Sequence, residues 1–129
     1  AGKLYYNSDF RGASAFCTKA IELNPDNATA YSIRGAIYYR LNDFNSAAAD
    51  FNKAIALNPG DYRSFYNLGL VHIKLNDFRK AIEDFSGAIQ VNPSDADSYY
   101  NRGVCRQRLG DYYGAQEDLN KARALGYSS

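Results

Sequence analysis

The stretch 58–61 reads Asn-Pro-Gly-Asp (NPGD), and close copies of it stand at 24–27 (NPDN) and 92–95 (NPSD). All the prolines of the 129-residue chain fall in these copies, 34 residues apart: Pro25, Pro59 and Pro93. A fixed period of about 20 to 50 residues is the signature of stacked structural repeats. The sequence is therefore predicted to form a repeat array.

Other residues keep the same period. We call a set of positions that are 34 residues apart a column. Several columns hold one residue type: glycine (Gly35, Gly69, Gly103) and alanine (Ala47, Ala81, Ala115; Ala20, Ala54, Ala88, Ala122). A further column is aromatic and follows an aspartate each time (Phe10, Phe44, Phe78, Tyr112). This register extends the repeat over the whole chain.

Each repeat is predicted to be a pair of antiparallel helices. Residues 62–75 and 78–91 both place apolar side chains at helical spacing. Only Asn76 and Asp77 separate them, a link short enough for an antiparallel pair, and Asp77 is a natural N-cap. The expected inward positions are Phe65, Leu68, Gly69, His72 and Leu75 on the first helix, and Phe78, Ala81, Ile82, Phe85, Ala88 and Ile89 on the second.

The stretch 58–61 is interpreted as the boundary between two repeats. Pro59 cannot continue a helix and biases Asn58 away from helical geometry, so the second helix should end there. Asp61 then offers a side-chain oxygen to cap the next helix. The glycine column lies inside the first helices, where glycine costs about 1 kcal/mol relative to alanine. Its lack of a Cβ is expected to let the alanine column of the partner helix nest against the backbone.

These columns resemble the tetratricopeptide repeat, a helix–turn–helix unit of 34 residues. The family pattern of an aromatic, Leu-Gly, Tyr, Ala, Phe, Ala and Pro is matched in the first full repeat by Tyr31, Gly35, Tyr38, Ala47, Phe51, Ala54 and Pro59. The departures are Arg34 and Arg102 for Leu, His72 and Arg106 for Tyr, and Tyr127 for Pro. The resemblance implies an all-α fold, a right-handed α-α superhelix (solenoid) of antiparallel helix pairs. It also implies one domain over 1–129, with a partial repeat at 1–27 and full repeats at 28–61, 62–95 and 96–129.

Composition argues against several function classes. The formal net charge of +1 gives no strong field for nucleic acid or a membrane surface. No apolar run is long enough to span a bilayer, so membrane insertion is not expected. No signal peptide stands at the start, but a targeting segment upstream of residue 1 stays open, so the location is left unknown with the cytoplasm favoured. Cys17 and Cys105 replace apolar residues of their columns and are interpreted as buried, unpaired thiols.

No catalytic constellation is found. His72, the single histidine, falls on the packed face and is interpreted as a satisfied core residue. The aspartate column of the second helices (Asp50, Asp84, Asp118) is expected to be solvated, with no converging partner. There is no Gly-rich phosphate loop and no nucleophile–base pairing. The chain is therefore predicted to be non-enzymatic, with no cofactor and no metal.

A second stripe remains on the first helices once the core face is subtracted. Its tyrosines offer amphipathic contact area, its asparagines form a two-rung amide ladder that suits a peptide backbone, and its cations form a positive edge. In tetratricopeptide arrays these positions line the concave groove, so the resemblance implies a groove for a peptide or partner helix. The candidate groove residues are Tyr39, Arg40, Arg63, Tyr66, Asn67, Leu70, Lys74, Tyr100, Asn101 and Arg108.

The leading hypothesis is a protein–protein interaction module that binds a protein or peptide ligand. Two alternatives stay open: a structural module that assembles through its repeat ends, and the targeting arm of a larger enzyme. The family's carboxylate clamp for chaperone tails is not expected, because Asn67 alone agrees with it and Asp97 has the wrong sign.

The two ends of the array differ. Arg123 and Gln116 stand in otherwise less polar columns, which favours a native C-terminal repeat with a polar outer face, and Gly126 stands where a helix C-cap would fall. At the N-terminus Gly2 and Tyr5 match the spacing of Gly35 and Tyr38, half of a first helix, and the turn before Phe10 is expected to be altered. Phe16 stands in the aspartate column, so a cover is expected, either a preceding segment or a second copy of the chain. The second option predicts weak self-association through the N-terminal end.

Overall fold

The computed structural model describes the backbone of residues 2–128 and the side chains of residues 9–128. Over that range the chain forms seven α-helices and no strand: α1 (Gly2–Leu23), α2 (Ala28–Arg40), α3 (Phe44–Leu57), α4 (Tyr62–Lys74), α5 (Phe78–Val91), α6 (Ala96–Arg108) and α7 (Tyr112–Ala124). They group into two compact units, Ala1–Pro59 with α1 to α3 and Gly60–Ser129 with α4 to α7. The predicted all-α class is confirmed.

The turns within the helix pairs share one backbone device. Asn42, Asn76 and Gly110 have positive φ angles of 62°, 59° and 87°. Asparagine and glycine adopt this left-handed conformation most readily, and it ends a helix. In the turn after α4, the Asp77 amide donates to the His72 carbonyl at 2.8 Å and Asn76 donates to Ile73 at 2.9 Å. The next helix starts at once, because the Asp77 carboxylate accepts from the Lys80 amide at 3.2 Å.

The proline-containing link at 58–61 behaves as predicted. Helix α3 ends at Leu57, Asn58 is its C-cap, and Asp61 is the N-cap of α4. The Asp61 side chain accepts a hydrogen bond from the Arg63 amide at 3.1 Å. The stretch 58–61 is thus a boundary between helices, and it separates the two compact units.

Each unit has its own core. In the first unit Phe51, Ile37 and Ala54 are buried, and in the second Phe85 and Val71 are. Ser64 and Ser98 are also fully buried, which the apolar pattern did not predict. Leu75 was predicted to face the core, and this was wrong. Helix α4 ends at Lys74, so Leu75 is its C-cap and is exposed.

The expected nesting of alanine against glycine is corrected for two of the repeats. A Cβ added at Gly35 would lie 3.0 Å from the Phe51 ring, and one at Gly69 would lie 2.6 Å from the Phe85 ring. These glycines therefore make room for a phenylalanine ring of the partner helix. In the third repeat Leu119 replaces the phenylalanine, and there Gly103 does approach the Ala115 backbone, with 3.2 Å between the added Cβ and the carbonyl oxygen.

The N-terminal region is also corrected. The partial repeat was expected to hold half of a first helix, an altered turn and a second helix from Phe10 to Leu23, but α1 is one continuous helix over Gly2–Leu23. The column of Asn42, Asn76 and Gly110 holds Ser8 here, and serine adopts the left-handed conformation poorly. The helix therefore has no local reason to stop. The side chain of Tyr5 lies outside the described part.

Candidate functional site

The predicted groove residues of the second unit come from α4 and α6, and Tyr66 and Asn101 join the two helices. The Asn101 amide donates to the Tyr66 hydroxyl at 3.2 Å and to the Asp97 carbonyl at 2.9 Å. The Tyr66 ring packs edge-on against Phe85, with 5.6 Å between ring centroids. Burial, together with the charges of Asp97 and Asp95, raises the pKa of Tyr66, so its hydroxyl stays neutral. Tyr66 is therefore held in place on the predicted groove face of α4 and α6.

The two rungs of the predicted amide ladder are not equivalent. Both N–H donors of Asn101 are directed to partners in the chain, so mainly its carbonyl oxygen is left for a ligand. Asn67 is half-buried, and its carboxamide has no hydrogen-bond partner among the described residues. Beside it, Leu70 packs on the core cluster around Phe85. Asn67 thus retains both functions of its amide next to an apolar wall.

Tyr100, the other predicted contact residue of α6, is covered in part. Its ring stacks on Tyr127, with centroids 4.2 Å apart and an interplanar angle of 16°. Tyr127 stands in the proline column and follows Gly126, whose φ of 100° turns the chain after α7. These two tyrosines, with Leu119, Arg123 and Ser128, line an open cavity of about 420 Å³. A ligand would meet the stacked pair and not Tyr100 alone.

The predicted cations are exposed and differ in how they are held. The Arg108 guanidinium lies over the Phe78 ring, 5.6 Å from its centroid, and Arg63 lies 3.3 Å from the Asp61 carboxylate. Lys74 extends into solvent from the end of α4. In the first unit, Arg40 is exposed and Tyr39 packs edge-on against Phe44 at 5.5 Å.

The aspartate column was predicted to be solvated, and this was wrong. Asp50 and Asp118 are only 4% and 3% exposed. Arg34 donates to both carboxylate oxygens of Asp50 at 2.7 Å, and this contact raises the pKa of Arg34. Asp50 and Asp118 each pack against the first helix of their own repeat, where the paired guanidinium offsets the cost of burying a carboxylate.

The third repeat doubles the pairing. Arg102 donates to both Asp118 oxygens at 2.9 and 2.8 Å, and Arg106 donates to one of them at 2.9 Å. A sequence signal for this existed: every departure from the family pattern at the Leu and Tyr columns introduces a base. Those bases face the aspartate column across the helix pair.

The middle repeat pairs the column differently. Leu68 stands in the arginine column, and His72 Nδ1 lies 2.5 Å from Asp84 Oδ2. Burial raises the pKa of Asp84 to about 6, an effect that His72 opposes and that Glu83 and Asp77 reinforce. The interpretation of His72 as a satisfied histidine is confirmed, and its partner is now identified.

The remaining candidates for chemistry are structural. Cys17 and Cys105 are buried free thiols, as predicted, and burial raises the pKa of Cys105 to about 11, which makes it a poor nucleophile. Among the described residues no three His, Cys, Asp or Glu side chains come together as metal ligands would. Within the same part of the chain, no helix combines the length and the hydropathy that crossing a bilayer requires.

The sequence matches known repeat families over most of its length. One tetratricopeptide repeat model matches residues 28–61 and 62–95, and a second matches residues 85–117. The chain belongs to the tetratricopeptide repeat family, and its fold is that family's helical solenoid. A comparison with curated proteins gives no match.

Solved structures of MamA share this fold. One crystal structure of MamA is 25% identical with a TM-score of 0.89, and the match covers 96% of this chain and 72% of that one. A second MamA crystal structure is 25% identical with a TM-score of 0.87, over 96% of this chain and 68% of that one. MamA 41-end from Desulfovibrio magneticus RS-1 is 24% identical with a TM-score of 0.84, over 95% and 69%. The family and these neighbours indicate an interaction or scaffold module.

Proposed function

We propose that the chain is a non-catalytic protein-interaction module that binds an extended peptide or a partner helix along α4 and α6. The observation that carries the proposal is the carboxamide of Asn67, which has no hydrogen bond to any residue that the structure describes and lies beside the half-buried Tyr66 and Leu70. A carboxamide pairs with a peptide group as donor and acceptor at once. The apolar neighbours exclude water from such a contact, which strengthens it.

The charges on this face favour a ligand with acidic groups near the last turns of the two helices. Lys74 and Arg108 occupy those turns, whereas Asp97 lies in the first turn of α6. Arg108 is held over the Phe78 ring, so less side-chain entropy is lost when it pairs with a carboxylate. The proposal therefore includes a polarity for the ligand: acidic toward the C-terminal ends of α4 and α6.

The test uses peptides selected against the wild-type chain from a displayed random library, followed by calorimetry with purified variants. Asn67→Ala should weaken the binding of the selected peptides by about 1 kcal/mol, which is roughly a fivefold rise in the dissociation constant. The denaturation midpoint of the variant should stay unchanged. The double substitution Asn67→Ala with Asn101→Ala should weaken peptide binding by about one to a few kcal/mol. Some loss of stability is expected for the double variant, because Asn101 also bonds Tyr66.

Asn52→Ala is the matched control, because Asn52 is an exposed asparagine of a second helix, α3. It should leave peptide affinity unchanged. Peptides that bind the Asn67→Ala variant as tightly as wild type would show that this face is not the site.

A further inference from the structure

The stripe of α6 on the proposed binding face carries opposite charges at its two ends. Asp97 lies in the first turn and Arg108 in the last, and both side chains are exposed. Arg102 and Arg106 of the same helix are engaged elsewhere, because both donate to the buried Asp118. Within the described residues, no cation forms an ion pair with Asp97 and no carboxylate forms one with Arg108. Each end of the stripe therefore leaves one charge for a ligand.

Hydrogen-bond acceptors gather at the N-terminal end of this stripe. Asn101 lies one helical turn after Asp97, and both of its amide donors are engaged, so its oxygen adds an acceptor to the carboxylate. The negative charge also reaches two tyrosine hydroxyls. Burial and then the charge of Asp97 raise the pKa of Tyr66. Desolvation, the neighbouring Tyr100 and Asp97 raise the pKa of Tyr127. This end of the stripe therefore favours a cation.

The stacked rings of Tyr100 and Tyr127 narrow the choice of cation. Their centroids lie 4.2 Å apart, so together they present a rigid aromatic surface. A guanidinium is planar, stacks on such rings and donates several N–H bonds to a carboxylate at once. An ammonium is compact and strongly hydrated, and it does neither as well. The N-terminal end of α6 thus fits an arginine side chain better than a lysine.

The distance between the two charged ends sets the spacing of charges in a ligand. Asp97 and Arg108 are 11 residues apart (108 − 97), which is about 16 Å along a helix that rises about 1.5 Å per residue. An extended peptide rises about 3.3 Å per residue, so it covers that length in about five residues. A helical ligand needs about eleven residues. The spacing therefore distinguishes the two forms of ligand, an extended peptide and a helix.

Asn67 favours the extended form. Its carboxamide has no hydrogen-bond partner among the described residues, and it can donate to and accept from the same peptide group. The peptide groups inside a helix already bond to one another, whereas those of an extended chain are free to pair with a side chain. Leu70 and Val104, both half-buried, lie between the charged ends and suit an apolar residue in the middle of the peptide.

On the basis of the proposed function, we propose that the ligand is an extended peptide with an arginine and an acidic residue about four to six positions apart, in either order. The arginine contacts Asp97 and the stacked tyrosines, and the acidic residue contacts Arg108. Charge complementarity at both ends of α6 thus selects the peptide and fixes its direction on the face.

The test uses the peptides from the displayed random library whose binding Asn67→Ala weakens. Their sequences should share the arginine and the acidic residue at this spacing. In calorimetry, Asp97→Arg should raise the dissociation constant of such a peptide about tenfold, and added salt should weaken wild-type binding. Glu117→Arg, the same reversal of charge at an exposed position of α7, is the matched control and should leave the affinity unchanged.

A charge exchange separates a direct contact from a structural effect. A peptide whose arginine is replaced by glutamate should bind Asp97→Arg more tightly than it binds wild type. Far-UV circular dichroism checks that each variant stays helical.

Three results would overturn this inference while the proposed function stands. They are a charge spacing of about eleven residues, which means a helical ligand, no rescue by the exchanged peptide, and equal or tighter binding of the original peptide by Asp97→Arg. Tighter binding would point to an acidic group held by Arg123, which also lines the cavity beside the stacked tyrosines. A library that yields no binder, or binders indifferent to Asn67→Ala, would overturn both proposals.

Discussion

The second and third full repeats hold the same aspartate in the same place, but they compensate its charge differently. Asp118 accepts three hydrogen bonds from two arginines, whereas the partner of the Asp84 carboxylate within the described residues is His72. Arginine keeps its charge at every accessible pH, and histidine does not. The third repeat therefore compensates its carboxylate with two guanidiniums, whereas in the middle repeat burial raises the pKa of Asp84 to about 6.

The comparison shows how a repeat tolerates changes in its pattern. The arginine column needs a base only where no other residue faces the aspartate. In the middle repeat Leu68 is buried in that column, and the base has moved one helical turn to His72. The aspartate column sets the requirement for a base, because an unpaired buried carboxylate lowers the stability of the fold. Either of two neighbouring positions can provide its partner.

Removing the Asp118 carboxylate of the third repeat should lower the stability of the chain more than the other substitutions considered below. In Asp118→Ala the guanidinium of Arg102 loses its counter-ion and that of Arg106 keeps only the distant Asp111 at 4.0 Å among the described carboxylates, and both side chains are mostly buried. We expect the free energy of unfolding to fall by about 3 to 5 kcal/mol, measured by urea denaturation. Glu117→Ala, an exposed neighbour, is the control and should change it little. A loss below about 1 kcal/mol would mean that the network is solvated.

The pH dependence of stability should separate the two repeats. A carboxyl whose pKa is raised in the folded state, from 3.8 to about 6, holds its proton more tightly when folded. Its contribution to stability is fully present below the unfolded pKa and is lost as pH rises to about 6. Asp84→Asn should remove this loss, which we expect to be about 1 to 3 kcal/mol between pH 4 and pH 7.

Denaturation of wild type and Asp84→Asn at several pH values checks this. The two curves should be closest at the acid end and diverge as pH rises toward 6, with the variant the more stable. Parallel curves would show that the carboxyl of Asp84 titrates normally in the folded chain.

Giving the middle repeat an arginine should have the smallest effect on stability. Leu68→Arg copies Arg34 and Arg102, so the pKa of Asp84 should fall toward its usual range. The free energy of unfolding at neutral pH should change by less than about 1 kcal/mol, because a buried ion pair replaces well-packed apolar contacts. Carboxyl-carbon NMR titration follows the pKa, and Leu68→Met is the neutral control of similar size. An unchanged Asp84 pKa would mean that the added guanidinium does not reach the carboxylate.

Much of the fold was predictable, because its signals are local. The proline links, the Asn and Gly turns and the Asp N-caps each act through the backbone of a few neighbouring residues. Even the missing turn in α1 has a local cause, Ser8 in the left-handed column, although the expected altered turn did not anticipate a continuous helix. The glycine column was recognised, but its contact with Phe51 and Phe85 was not, because a ring from another helix fills that space.

The sequence by itself determined the 34-residue period, the helix pairs and the residue types on each face. Only the tertiary structure decided which of those side chains are available. It placed the aspartate column beneath Arg34, His72, Arg102 and Arg106, and it engaged both amide donors of Asn101. It also stacked Tyr127 on Tyr100 and left Asn67 without a hydrogen-bond partner in the part of the chain that the structure describes. The reason is physical: a period fixes where a side chain points, whereas its burial and hydrogen bonds depend on the helix that packs against it.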